Sequence, residues 1–152
     1  MIRFEGEKDF LQPPAELWAK LSDARFLVQC LPDVESVPEA EADRARMVLR
    51  PGFSFARGTL ETTLCIVDAL APVSARYIIA NKGIGTSADV EATIALTPQG
   101  AGTRIHWTVE IKALGGLLKM VPSGLVRGAA QKVANDAWSA VEAKLNTPPM
   151  NS

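Results

Sequence analysis

The side chains able to do chemistry are few and scattered. The one histidine, His106, sits where Ile105, Trp107, Val109 and Ile111 alternate with Arg104, Thr108, Glu110 and Lys112. That alternation reads as a half-buried strand and puts His106 on the polar face, opposite Trp107. A metal site needs three or four ligands, and no His/Cys cluster accompanies it. No nucleophile is patterned to use it as a base. Cys30 and Cys65 stand far apart; one disulfide is an open alternative, and two buried thiols in a cytoplasmic protein are the expected state. Asp89 and Glu91 are two apart, so their carboxylates share a strand face. Such a pair does acid–base work when burial raises one pKa, whereas acidic residues mostly belong to solvated faces, the reading adopted here. Gly83-Ile84-Gly85-Thr86-Ser87 resembles a phosphate loop but opens no helix and lacks the Walker lysine, so it is expected to be a hairpin turn. Arg44, Arg46 and Arg50 alternate on one strand. They read as a solvated sheet exterior or as a contact patch for an acidic partner or anionic lipid headgroups. No catalytic residue, metal site or cofactor is expected.

The elements that position these residues follow from period and punctuation. Residues 2–11 set Ile2, Phe4 and Phe10 against Arg3, Glu5, Glu7 and Asp9, a strand ended by Pro13-Pro14. Residues 14–21 form a short helix with Leu17, Trp18 and Leu21 on one side, Pro14 in its first turn. Asp23 caps a second short helix over 23–31, with Phe26, Leu27 and Cys30 inward and Pro32 ending it. The pair is expected to brace the open end of a sheet. Strands are predicted over 34–41, an edge strand because of Pro38, then 43–50, 56–70, 74–82, 87–97 and 103–113. Pro98 to Gly102 reads as a hairpin turn, and Gly115-Gly116 as a break before the short apolar segment LLKMV.

Residues 123–145 carry apolar side chains at Val126, Ala130, Val133, Ala137, Val141 and Leu145, one stripe of a long α-helix. Such a stripe needs a surface to cover it, and the rest of the chain supplies strands. The expected fold is α+β: a helix-grip architecture, one curved antiparallel sheet of about seven strands wrapped around the long helix. One domain is expected over 1–146, with 147–152 a flexible tail. A sheet that curls need not interlock fully with the helix, so an apolar pocket can stay open between them. Phe53, Phe55, Tyr77, Trp107, Leu118, Met120 and Trp138 are the residues expected near it. The loop PGFSF and the segment LLKMV bear apolar side chains on irregular backbone, which suits a pocket gate or a lipid surface. Lys119 would keep its charge in an anionic headgroup layer.

Composition narrows the function classes. Net charge is -1, which provides no global basic field for nucleic acid. Apolar residues at 47% and charged residues at 22% suit a globular domain that buries a real core. No run reaches the length of a membrane span. The charged start MIRFEGEKDF argues against an export signal.

The opening FEGEKDFLQPPAELWAKLSDARFLVQCLPDVESV resembles the start of the CoxG family of carbon monoxide dehydrogenase components, through Trp18, Asp23, Leu27, Cys30, Leu31, Pro32, Val34, Glu35 and Ser36. GTLETTLCIVD and KGIGTSADVEATIALTPQGAGTRIHWTVEI extend the likeness, which runs from Phe4 to about Leu145. The resemblance implies a START-like helix-grip fold of the SRPBCC superfamily with a hydrophobic cavity. It also implies an accessory role to a molybdenum-containing carbon monoxide dehydrogenase or related hydroxylase, with links to membrane recruitment and quinone-like lipids. Two departures stand out. Asp33 occupies the glycine of the family's CLPG. Longer members carry a membrane-reaching C-terminal extension, and this sequence stops at Ser152, so a built-in anchor is not expected.

The expected function is therefore binding of a lipophilic small molecule, a quinone or isoprenoid, by a cytoplasmic accessory protein peripheral to the inner membrane face. The alternative is a small cyclase- or hydrolase-like enzyme using the same cavity, with Tyr77, Asn81, Thr62 and Glu61 as its polar groups. A filled core would leave only an interaction protein.

Overall fold

The computed structural model describes residues 2–50 and 58–146. The order is β1 (Ile2–Phe10), α1 (Pro14–Leu21), α2 (Ala24–Leu27), β2 (Val34–Ala40), β3 (Arg44–Leu49), β4 (Leu60–Leu70), β5 (Ser74–Gly83), β6 (Thr86–Gln99), β7 (Gly102–Gly116), a 3₁₀ turn (Leu117–Met120) and α3 (Ser123–Asn146). The strands form one curved antiparallel sheet in the order β1-β7-β6-β5-β4-β3-β2. Short turns join β2 to β3 and β4 through β7 in sequence, and residues 50–59 link β3 to β4. β1 crosses over to pair with β7, with Phe4 opposite Val109 and Gly6 opposite Trp107. Pro38 lies in β2, an edge strand, where a missing ladder donor is tolerated.

Alternation decides which face is buried. Phe4 and Phe10 of β1, Ile94 and Leu96 of β6, and Ile105 and Trp107 of β7 are all buried, as are Leu17 and Leu21 of α1. Gly6 is required by this packing: a Cβ there would stand 2.6 Å from Cζ2 of Trp107, so the indole lies over bare backbone. Helix α3 comes closest to the sheet at β1. Lys8 reaches Glu142 of α3 at 3.1 Å, and the Gln12 side-chain amide donates to the Leu145 carbonyl at 3.2 Å. The β5–β6 hairpin turns on Ile84 and Gly85, with φ of 56° and 68°. Both central residues at positive φ is the geometry whose twist suits a two-residue hairpin, and glycine takes it without strain.

Several expectations need correction. The helix predicted over 23–31 is regular only from Ala24 to Leu27. Asp23 does cap it, accepting the Arg25 N–H at 2.9 Å, but Ala24 and Val28 take the interior while Phe26 and Leu27 are half-buried. Four residues make about one turn, so Ala24 and Val28 take the most buried places, while Cys30 is buried as expected. Gly115-Gly116 does not end its strand early: β7 runs through both and pairs them with Ser87 and Thr86. Cys65 is half-buried on the face of β4 opposite Leu64, so only Cys30 is a buried thiol, and both are free. Asp33 adopts φ 64° at the position of the family's glycine, and its carbonyl accepts the Arg50 N–H at 2.9 Å. Aspartate is among the few residues that visit this region readily, so the turn is kept.

Candidate functional site

A cavity of about 310 Å³ lies between α3 and the concave face of the sheet, within the range of small-molecule pockets. Its floor is the inward row of β4 to β7, including Leu64, Ile79, Val90, Ala92 and Val109. Its roof is α3, which presents Ala129, Ala130, Val133, Ala134 and Ala137. The cause of the void is in those side chains. A helix that faces a sheet with alanines cannot reach across the roughly 10 Å layer spacing that interlocking leucines would fill. Leu27, Cys30 and Leu31 close one side, and Leu114 and Leu118 border the end nearest the β5–β6 hairpin.

Of the expected cavity residues, Tyr77, Trp107, Leu118 and Trp138 line this space. Trp107 and Trp138 sit with ring centroids 6.3 Å apart, and Trp138 also meets Phe10 at 6.1 Å. Met120 does not line it. Its side chain is 83% exposed, because the 3₁₀ turn aims Leu118 inward and leaves Met120 outside. Phe53 and Phe55 lie outside the described residues, as do 147–152.

The polar groups of the lining are neutral or already engaged. Tyr77 donates its hydroxyl to the Leu21 carbonyl at 2.7 Å, and burial pushes its pKa upward. Cys30 donates weakly to the Phe26 carbonyl at 3.6 Å, and burial raises its thiol to about 11. Thr62 donates to Oδ1 of Asn81 at 2.8 Å, and Asn81 donates to the Ala88 carbonyl at 3.3 Å. Among the described lining residues the only formal charge belongs to Asp33. Glu61, expected as a polar cavity group, is exposed, since it alternates with the inward Thr62. Thr86, read in the sequence only as part of a hairpin turn, also lines the cavity, its hydroxyl donating to the Gly83 carbonyl at 2.6 Å. Its signal was the hairpin glycines, which place the next residue at a strand start.

The remaining candidates sit outside the cavity. His106 is on the outer face, within 2.8 Å of Glu5 and 3.7 Å of Glu7. Asp89 is exposed, and Glu91 meets Arg76 at 3.2 Å and Lys112 at 3.4 Å. Arg44 and Arg46 both meet Glu39, at 2.9 and 3.7 Å, and Arg50 meets Glu35 at 3.0 Å. The three arginines thus pair with the acidic edge strand β2 and do not form an unpaired basic field. Exposed pairs like these are screened by solvent and add little to stability. Lys119 lies in the 3₁₀ turn between Leu118 and Met120. No three His, Cys, Asp or Glu side chains among the described residues gather as a metal site would require. No helix among them is long and apolar enough to cross a membrane.

Solved structures share this arrangement. A conserved protein from Geobacillus kaustophilus superposes with a TM-score of 0.83 at 19% identity, covering 94% of each chain. A protein from Chromobacterium violaceum gives 0.67 at 16% identity, covering 93% of this chain and 95% of its own. A START superfamily protein from Mycobacterium smegmatis gives 0.64 at 11% identity, covering 93% and 95%. At such identities the likeness is one of fold. No curated protein matches the chain. The family model for CoxG, a carbon monoxide dehydrogenase subunit, matches residues 6–146, and with the helix-grip fold around an apolar chamber now described, the chain belongs to that family.

Proposed function

We propose that this protein binds a neutral, lipophilic, quinone-like molecule beneath α3 and serves as an accessory to a molybdenum-containing carbon monoxide dehydrogenase or related hydroxylase. The observation that carries the reading is the 310 Å³ apolar cavity under an alanine-faced helix. Interiors are ordinarily close-packed, and a void this size costs stability unless something fills it. Family membership supports the choice of partner enzyme.

The same reading extends to a lipid surface. Leu117, Met120 and Leu125 are exposed by 55%, 83% and 56% beside the cavity-lining Leu114 and Leu118, with Lys119 among them. Apolar side chains around a lysine at a cavity mouth suit transient contact with an anionic bilayer, the charge staying in the headgroup layer.

The test is organic extraction of the purified protein followed by mass spectrometry, together with titration by a quinone analogue. A stoichiometric co-purified lipophile, or saturable binding of the analogue that is lost when Ala134 is enlarged to Phe, is expected. Protein that is empty as isolated and indifferent to the analogue overturns the reading.

A further inference from the structure

The cavity is not uniformly apolar along its length, and the gradient has a direction. Toward the C-terminal half of α3 it is walled by Trp107, Trp138 and Tyr77, whose hydroxyl is turned away to Leu21. Toward the β5–β6 hairpin stand Thr62 and Asn81, directly opposite each other on β4 and β5. Thr62 is only 3% exposed and Asn81 is half-buried. Burying a hydroxyl and an amide against apolar neighbours costs free energy unless they are paired, and here they are paired only in part. The Thr62 hydroxyl is spent on Oδ1 of Asn81, and one amide hydrogen on the Ala88 carbonyl. A primary amide has two N–H donors. The second has no partner among the described residues, and the Thr62 oxygen keeps its lone pairs. The site therefore offers one neutral donor and one neutral acceptor side by side on an apolar wall.

We infer that Thr62 and Asn81 form the polar subsite of the cavity, taking a neutral carbonyl or hydroxyl oxygen while the apolar body of the ligand runs toward Trp107 and Trp138. This rests on the carrier reading above and specifies the ligand class and its orientation. Anionic lipophiles are excluded on the same grounds. No Lys, Arg or His is among the described lining residues, and the one charge, Asp33, is negative, so a buried carboxylate would find no counter-ion. The Thr62–Asn81 hydrogen bond holds the amide in the orientation that presents its free N–H, which makes Thr62 a positioning residue for Asn81.

The experiment compares three probes of equal chain length by displacement of N-phenylnaphthylamine: decyl-benzoquinone, decylbenzene and decanoate. Wild-type protein is expected to bind the quinone about tenfold or more tighter than the hydrocarbon, one carbonyl hydrogen bond in a dry site being worth that much, and decanoate most weakly. Asn81→Leu is expected to bring quinone and hydrocarbon within about threefold of each other, and Thr62→Val to give an intermediate ratio. Because each result is a ratio within one variant, a change in cavity size or fold stability cancels. Equal affinities for quinone and hydrocarbon in the wild type, or an undiminished preference in Asn81→Leu, overturns the subsite while the carrier reading stands. Failure of the wild type to bind any probe overturns both.

Discussion

At the end of the sheet where β1 finishes, side-chain hydrogen bonds tie together residues far apart in the chain, among them Gln12 to Leu145, Trp18 to Ser74, Tyr77 to Leu21, and Thr103 to Gln12. At the hairpin end the side-chain ties among the described residues run within the sheet, Thr62 to Asn81, Asn81 to Ala88 and Thr86 to Gly83, and a backbone bond from Leu117 to Gly85 at 3.0 Å joins the 3₁₀ turn to the hairpin. Both ends expose apolar side chains, Leu11 and Leu70 at the first and Leu117 and Met120 at the second, so exposure does not distinguish them. What does is that the first end is stapled across the chain and walls the cavity with aromatic rings, whereas the second walls it with Leu114 and Leu118. One end holds α3 in place; at the other no side-chain hydrogen bond among the described residues reaches α3. A protein built to admit a guest and remain folded needs this division, because openings come from the less stable parts of a structure.

The comparison is tested most severely by paired truncations. Trp138→Ala removes the ring that meets both Phe10 and Trp107, and a loss of about 3 kcal/mol in urea unfolding is expected. Leu118→Ala at the hairpin end is expected to cost under about 1 kcal/mol, because its far side already faces a void. Equal losses would erase the distinction between the two ends.

The next test uses Cys30 as a probe of opening. Its thiol, raised to about 11 by burial, leaves a thiolate fraction of about one in a thousand at pH 8. The half-buried Cys65 on the outer face is expected to react with iodoacetamide first, and Cys30 slowly. A bound ligand should slow Cys30 further, and Leu118→Ala should hasten it while lowering the melting temperature by no more than about 4 °C. The pH sign follows from the raised value. The neutral thiol favours the folded state fully below the ordinary thiol pKa of 9.0, and that contribution is lost as pH climbs toward 11. Mass spectrometry of alkylated peptides reads both effects; fast labelling of Cys30 at pH 8 in ligand-loaded protein would contradict the buried, gated placement.

Smaller but still decisive is Tyr77→Phe. The change keeps the ring and strands the Leu21 carbonyl, so a loss of about 1–2 kcal/mol is expected, with ligand affinity unaltered since the hydroxyl is turned away from the cavity. A large drop in affinity would mean that Tyr77, and not the Thr62–Asn81 pair, meets the guest.

Much of this is legible in the residues alone, and the reasons are physical. Alternation in 103–113 and 87–97 gave the burial of Trp107 and Ile94, because a strand with one solvated face must alternate. The stripe Val126, Ala130, Val133, Ala137 and Val141 gave α3 and its inward face. The small size of its alanines, present in the same stripe, was the signal for a void. Met120 was misplaced because a single 3₁₀ turn has no period long enough to reveal which side chain points in. The pairing of Arg44, Arg46 and Arg50 with Glu35 and Glu39 was invisible because it depends on the bulged register of β2 on β3. The Thr62–Asn81 bond depends likewise on the register of β4 on β5, which no local pattern specifies.

The smallest effect concerns the hairpin itself. Ile84 is β-branched and held at φ 56°, a region where such side chains are strained by about 1–2 kcal/mol. Asparagine accepts that conformation readily, so Ile84→Asn should raise stability by about 1 kcal/mol in thermal or urea unfolding. Every other substitution proposed for the fold lowers stability; this one should raise it, and it lies at the hairpin end. The isoleucine is half-buried and packs near Gly58, so its removal also takes an apolar side chain from the hairpin end. If the hairpin end is where a lipophile enters, the stabilised variant should load decyl-benzoquinone more slowly while binding it equally tightly at equilibrium. A stabilised variant with unchanged loading kinetics would assign the strain to folding alone and move the entrance away from this hairpin.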